Sequence, residues 1–186
     1  MNNADEESQV EDEKLRSRWR SPEAQVILRS VLEALRMRQP WASHVLSLPR
    51  VDEVMNHQDL RGAPLSGITL DGVDLRATAL DFADFQESSL QYSDFRGSDL
   101  SAARLTSANL KGANLAGVRM MLVYAVTANM SEANLSGAVM TGANLEHADF
   151  TNALLRGTVL FGARLDGAIF KGADTEGARF GEFASP

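Results

Sequence analysis

The chain has no cysteine, which excludes a disulfide framework and thiol catalysis and leaves the redox compartment unmarked. Aromatic residues are scarce as well, 6% of a chain that is 44% hydrophobic. Cores of modest size are ordinarily built around aromatic rings, so this interior must be filled with something smaller and more uniform. No long hydrophobic run exists: the longest, Met120 to Val126, falls far short of a membrane span. The opening residues, Met1 to Glu7, show no basic segment leading into an apolar one, so no secretory leader is visible. The cytoplasm is therefore the expected location, with no membrane contact. A net charge of −7 argues against a protein that coats nucleic acid through its phosphates.

What the chain does have is a period of five. Every fifth residue from Leu60 to Phe180 is large and apolar, with Ala125 and Thr175 the exceptions among 25 positions. Two residues before each stands a small or β-branched side chain, as at Ala83, Ala108, Ala143 and Ala168. Two residues after it glycine recurs, as at Gly62, Gly97, Gly137 and Gly177. Neither a helix nor an ordinary strand has this period. It requires short extended pieces separated by corners, with the large residue and the small one before it pointing inward and glycine at the bend.

Ala108-Asn109-Leu110-Lys111-Gly112, Ala113-Asn114-Leu115-Ala116-Gly117 and Ala143-Asn144-Leu145-Glu146-His147 carry the A(D/N)LXX pattern. In this the chain resembles the pentapeptide-repeat proteins over about two thirds of its length. The resemblance implies an all-β fold, a right-handed quadrilateral parallel β-helix in which four pentapeptides make one square coil. Here 25 repeats would give about six coils and a rod of about 30 Å. The expected organisation is an acidic, disordered tail over 1–20, a helical N-terminal cap over 21–57, the solenoid over 58–182, and a short tail over 183–186.

Residues 20 apart then share a column. Outward Asp74 and Asp94 adjoin Arg76 and Arg96, the pattern of a solvated, salt-bridged face. Residues 58–102 hold eight acids against three arginines, whereas 103–182 are balanced at seven and seven. The acidic first coils, with Asp71, Asp74, Asp81, Asp84, Asp94 and Asp99, form one candidate partner surface. A second is apolar: Met121, Tyr124 and Val126 fall at outward positions, Leu122 at a corner, and Phe161 on the face of Met121. Exposed apolar patches mark partner surfaces; the alternative is packing against the N-terminal segment.

Solenoid ends need covering. Ser21-Pro22-Glu23 reads as a helix start, followed by an apolar face of Val26, Ile27, Val31, Leu32 and Leu35. A second segment, Trp41 to Met55, would be broken at Pro49. The basic cluster Arg16, Arg18, Trp19 and Arg20 reads as a solvated linker. At the other end little follows the last repeat, so either the tail folds over it or two chains stack there through Thr175, Phe180 and Phe183 as a homodimer.

The three histidines, His44, His57 and His147, lack metal-ligand spacing, and no nucleophile or phosphate-loop motif occurs. No cofactor and no enzymatic activity are expected. The resemblance implies a binding protein whose partner is DNA gyrase or topoisomerase IV, engaged by mimicry of DNA and protected from inhibitors. Against that, duplex DNA of the rod's length carries roughly 18 charges, while the rod's net charge is −5, from 15 acids and 10 bases. The alternative is a protein-interaction scaffold or regulator unrelated to topoisomerases.

Overall fold

The computed structural model describes residues 3–41 and 58–181, with side chains from Gln9 onward. Helices α1 (Asn3–Ser17) and α2 (Pro22–Arg36) precede the repeats. The segment expected between Trp41 and Met55 lies outside the described residues except for Trp41, as do His44, His57, Phe183 and the tail over 183–186.

From Asp59 the chain pairs with itself at a constant offset of 20. Asp59 bridges Ala79, Pro64 bridges Asp84, Thr69 bridges Ser89 and Asp74 bridges Asp94, all parallel, and the series runs to Leu154 with Asp174. Pairing lengthens to two residues only at β1 (Val159–Leu160) and β2 (Arg179–Phe180), parallel, with Val159 opposite Arg179. A typical short segment makes three rungs per coil. On one of them Leu65 N donates to Asp84 O, Asp84 N to Ala63 O, and Gly67 N to Gln86 O, at 2.7, 2.9 and 2.8 Å.

Between segments the backbone turns every five residues, four times per 20-residue coil. Each corner residue from Gly62 to Gly177 has φ between 51° and 71°. The turn is closed by a bond such as Ala63 N to Leu60 O, 3.0 Å, and positive φ at the third turn residue alone is the type II pattern. Glycine suits it, yet Tyr92, Leu122, His147 and others adopt it too. Their strain, of order 1–2 kcal/mol each, is offset by a ladder bond, as when Tyr92 N donates to Lys111 O. Four of these side chains lie over a glycine one coil on: Tyr92 over Gly112, Leu122 over Gly142, His147 over Gly167 and Asn152 over Gly172.

The inward columns form a continuous core. Leu60 to Leu160 are buried at every fifth position, with Phe85 edge-on to Phe95 at 6.4 Å and Phe150 stacked on Phe170 at 5.1 Å. Burying each such side chain stabilises by about 1.5–3 kcal/mol. Buried hydroxyls serve the core backbone: Ser93 Oγ donates to Leu70 O and Ser98 Oγ to Leu75 O, at 2.6 and 2.5 Å.

The N-terminal region differs from its sequence reading in three respects. Residues expected to be disordered form α1. Its acids precede the basic last turn of Lys14 and Arg16, as the helix dipole favours, and Asp12 pairs with Arg16 one turn on. The basic cluster is no solvated linker either, since Leu15, Arg18 and Trp19 are buried. Trp19 Nε1 donates to Arg61 O at 2.8 Å, and Arg18 grips both oxygens of Asp59 at 2.9 Å. In α2, Ser21 accepts from Ala24 N as an N-cap should. The face α2 buries is Ala24, Leu28, Val31, Ala34 and Leu35, however, with Val26 exposed. The spacing 24-28-31-35 keeps one helical face, and Val26 falls off it. These residues join one cluster with Leu60, Ala63 and Leu65.

Candidate partner surfaces

An aspartate or asparagine just before the large inward residue has a structural task. Its Oδ1 accepts the backbone N–H two residues on, as in Asp84 with Gln86, Asp99 with Ser101, Asn109 with Lys111 and Asn144 with Glu146. This side-chain turn satisfies a donor that the coil ladder leaves over. It explains why the pattern calls for Asp or Asn there.

That use of carboxylates changes the acidic candidate. Asp74 binds Arg76 at 2.7 Å and Asp94 binds Arg96 at 2.6 Å, and hydrogen bonds from these arginines hold both carboxyls below their usual range. Arg119 pairs with Asp99. Burial pushes the Asp99 carboxyl up, but hydrogen bonds from Ser101 and then Arg119 outweigh it, and the carboxyl sits low. Arg104 approaches Asp84 at 3.7 Å. Asp71 accepts from Ser89 Oγ and Gln91 N at 2.7 and 2.9 Å. Asp81 is pushed up to about 6 by burial, with Asp99 and Asp59 adding and Arg61 opposing, so part of its charge is lost near neutrality. The six acids thus lie on different faces, and four of them face an arginine.

Asp59, absent from the candidate acids, is the most heavily engaged. Burial would raise its carboxyl, but hydrogen bonds from Arg61 and Arg18 outweigh this and hold it at about 2. The signal was the arginine two residues after an outward aspartate, which recurs at Asp74-Arg76 and Asp94-Arg96. Arg18 had no such marker.

The apolar candidate is a physical strip. Met121, Leu122, Tyr124 and Phe161 are 42, 61, 55 and 40% exposed. Val126, Val139 and Val159 are half-buried. Met121 and Phe161 share an outward column 40 residues apart, and the Arg179 guanidinium lies over the Phe161 ring at 4.9 Å. At the C-terminal end the inward Leu165, Phe170, Thr175 and Phe180 are only half-buried, and no described residue covers them.

Sequence reading gave no hint of a cleft of about 660 Å³ where α1 runs beside the rod, lined by Arg16, Phe82, Ala102, Arg104, Leu122 and Tyr124 among others. Among the described residues no cluster of acids or histidines has the arrangement of a metal site. No described helix is long and apolar enough to cross a membrane.

A family model described as Pentapeptide repeats matches in eight copies over residues 59–91, 83–120 and 128–157. No curated protein matches the chain by sequence. Among solved structures, the pentapeptide repeat protein Rfr23 from the cyanobacterium Cyanothece 51142 is 24% identical, with 66% of this chain and 91% of that one covered and a TM-score of 0.41. The plasmid-mediated fluoroquinolone resistance protein QnrB1 is 20% identical, with 62% and 61% covered and a TM-score of 0.43. HetL, involved in heterocyst differentiation regulation in the cyanobacterium Nostoc, is 21% identical, with 73% and 94% covered and a TM-score of 0.27.

Proposed function

We propose a non-enzymatic binding role, since the chain belongs to the pentapeptide-repeat family, whose repeats build right-handed β-helices. In this reading a quadrilateral rod, capped by the N-terminal helices, grips a protein partner through Met121, Leu122, Tyr124, Val126 and Phe161. The carrying observation is that four of these side chains keep 40–61% of their surface open on a rod whose backbone is paired beneath them. Large apolar side chains grouped at the surface favour a partner surface over a solvated face. The polar residues of the repeats favour binding over catalysis, because side chains such as Asp84, Ser93, Asp94 and Asp99 are engaged with the backbone or with arginines.

DNA gyrase or topoisomerase IV is the second reading, and the excess of carboxylates in residues 58–102 favours it. The pairing of Asp74, Asp94 and Asp99 with arginines weighs against mimicry of DNA by charge alone. A supercoiling and cleavage-protection assay separates the two. The chain is compared with a Met121→Ser/Phe161→Ser double variant and with an Asp74→Asn/Asp84→Asn/Asp94→Asn triple variant. Mimicry requires that the triple variant lose the effect and that the effect weaken steeply with salt. Loss in the apolar variant alone places the topoisomerase on the strip. No effect of the unaltered chain on either enzyme eliminates topoisomerases as partners and leaves the scaffold.

The half-buried Leu165, Phe170, Thr175 and Phe180 support a homodimer joined through the C-terminal coil. With the opposite end occupied by helices, such stacking would be isologous and close at two copies.

A further inference from the structure

We propose that the cleft between α1 and the rod binds a carboxylate carried on an apolar body, seated over Ala102 and held by Arg104. The cleft shares Leu122 and Tyr124 with the apolar strip, but the inference is argued from Ala102 and Arg104, which lie outside the strip.

The seat comes from one corner column. Phe82, Ala102 and Leu122 stand at successive coils on the same corner, at φ 60°, 54° and 56°. Two coil spacings, roughly 10 Å, separate the two large side chains, and the small Ala102 between them leaves a recess about one side chain wide. Tyr124 lies two residues beyond Leu122 in the lining, and α1 supplies the facing wall with Gln9, Asp12 and Arg16.

The charge comes from an arginine that lacks a close partner. Arg104 Nη1 stands 3.7 Å from Asp84 Oδ2, and Arg16 Nη1 stands 3.9 Å from the same oxygen. Both distances exceed hydrogen-bond range. Asp84 is engaged by Gln86 instead: Oδ1 accepts from its backbone N and Nε2 at 3.2 and 3.0 Å, and Oδ2 accepts from Nε2 at 3.2 Å. Arg16 is engaged with Asp12. Arg104 has no closer acceptor among the described residues, is exposed, and lines the cleft two residues from Ala102. A guanidinium presents its donors as a planar fork that matches a carboxylate in two-pronged fashion. The ligand is therefore an acid whose carboxylate lies a few bonds from an aromatic or branched aliphatic group. A protein C-terminus with an apolar last residue and a free apolar amino-acid derivative share that chemistry.

Isothermal titration of the full chain tests this with N-acetylphenylalanine, its amide, and a blocked tetrapeptide ending in phenylalanine with a free carboxylate. The acid is expected to bind at least tenfold more tightly than the amide. Arg104→Gln should abolish that preference. Ala102→Leu should abolish binding of both compounds by filling the recess; its folding is checked by an unchanged urea midpoint, and Leu122 already occupies the same conformation one coil on. Tighter binding of the tetrapeptide identifies a protein terminus as the ligand, whereas equal binding identifies a small acid. Phe161→Ser, which alters the strip but not the cleft, should leave every titration unchanged. Equal affinity for acid and amide, a preference that survives Arg104→Gln, or no heat with any probe at millimolar concentration would overturn the proposal.

Discussion

Leu60 and Phe180 stand in the same interior column at opposite ends of the rod, yet Leu60 is sealed and Phe180 is half open. Both belong to the same five-residue unit, so the unit cannot explain the difference. A coil is buried by its neighbours along the axis, and stability is a sum of nearest-neighbour terms. Among the described residues no coil precedes the first, and residues of α2 and of the α1–α2 junction share its buried cluster. Trp19, Leu28, Val31 and Leu35 supply the apolar contacts, while Arg18 and Arg61 converge on Asp59. The last coil has no such substitute among the described residues. An end is therefore made by non-repeating sequence, and its chemistry decides whether the rod stops or continues.

The sharpest way to break the comparison is to make the first end resemble the last. Trp19→Ala removes a buried ring and the bond to Arg61 O, at an expected cost of about 3–5 kcal/mol. Leu165→Ala, at the half-open end, should cost less than half of that. Urea unfolding of both variants measures the difference, and equal losses would show that the helices add nothing a bare coil lacks.

A pair of glycines isolates the contact itself. Gly62 and Gly97 have nearly the same backbone, φ 66° and 70°. A Cβ on Gly97 meets open space, whereas one on Gly62 would come within 2.6 Å of the Leu15 backbone. Gly97→Ala should cost about 1 kcal/mol, the left-handed strain alone. Gly62→Ala should cost at least twice that and lower the helical signal in circular dichroism, because α1 must move off the rod.

The open end yields a prediction about mass. If two copies meet there, Thr175→Lys places an ammonium in the contact, and light scattering should find half the mass of the unaltered chain at the same concentration. Phe161→Ser, on the side of the rod, should leave the mass unchanged. A monomeric unaltered chain removes the dimer.

These differences track how far each part was legible in the sequence. The columns were readable because a period of five imposes one environment on every fifth residue, and Leu110 can be assigned from Leu90 and Met130, its neighbours one coil away in the same column. The apolar strip was readable for the same reason: Met121 and Phe161 break an otherwise polar column. The ends have no repeat to reason from. Residues 1–13 look like an acidic tail by composition, and only Leu15 and Trp19 against the first coil show why α1 forms. The face of α2 was misjudged only at Val26, which the spacing 24-28-31-35 already places on the opposite side of the helix, while Ile27 and Leu32 flank the buried face. The cleft depends on where α1 lies, which no local pattern encodes. In the Asp71–Asp99 group the pairs Asp74–Arg76 and Asp94–Arg96 are legible at a spacing of two residues, whereas counting acids does not register Arg104 near Asp84 and Arg119 beside Asp99, one coil on.

The smallest expected effect concerns protons, and it again divides the two ends. On the first two coils, Asp59 and Asp81 are displaced in opposite directions, to about 2 and about 6. Asp59 gains two guanidiniums, whereas burial dominates at Asp81, which has only a share of Arg61 and faces Asp59 and Asp99. A carboxyl whose folded value is raised binds its proton more tightly in the folded chain, so its contribution is full below about pH 4 and is lost as pH rises through 6. Asp59 contributes the other way: its share is present above pH 4 and disappears only as pH falls through 2. Among the described residues Asp81 is therefore the group whose shift sets the slope between pH 5 and 7, and the urea midpoint should decline across that interval. Asp81→Asn should flatten the decline. At the other end Asp174, exposed and held low by hydrogen bonds from Arg156 and the Glu176 N–H, stays ionised throughout the interval, and Asp174→Asn should leave the slope as it is. A slope that survives Asp81→Asn would mean that burial does not hold this carboxyl apart from solvent, and that the helices seal the first coil less tightly than Leu60 and Trp19 indicate.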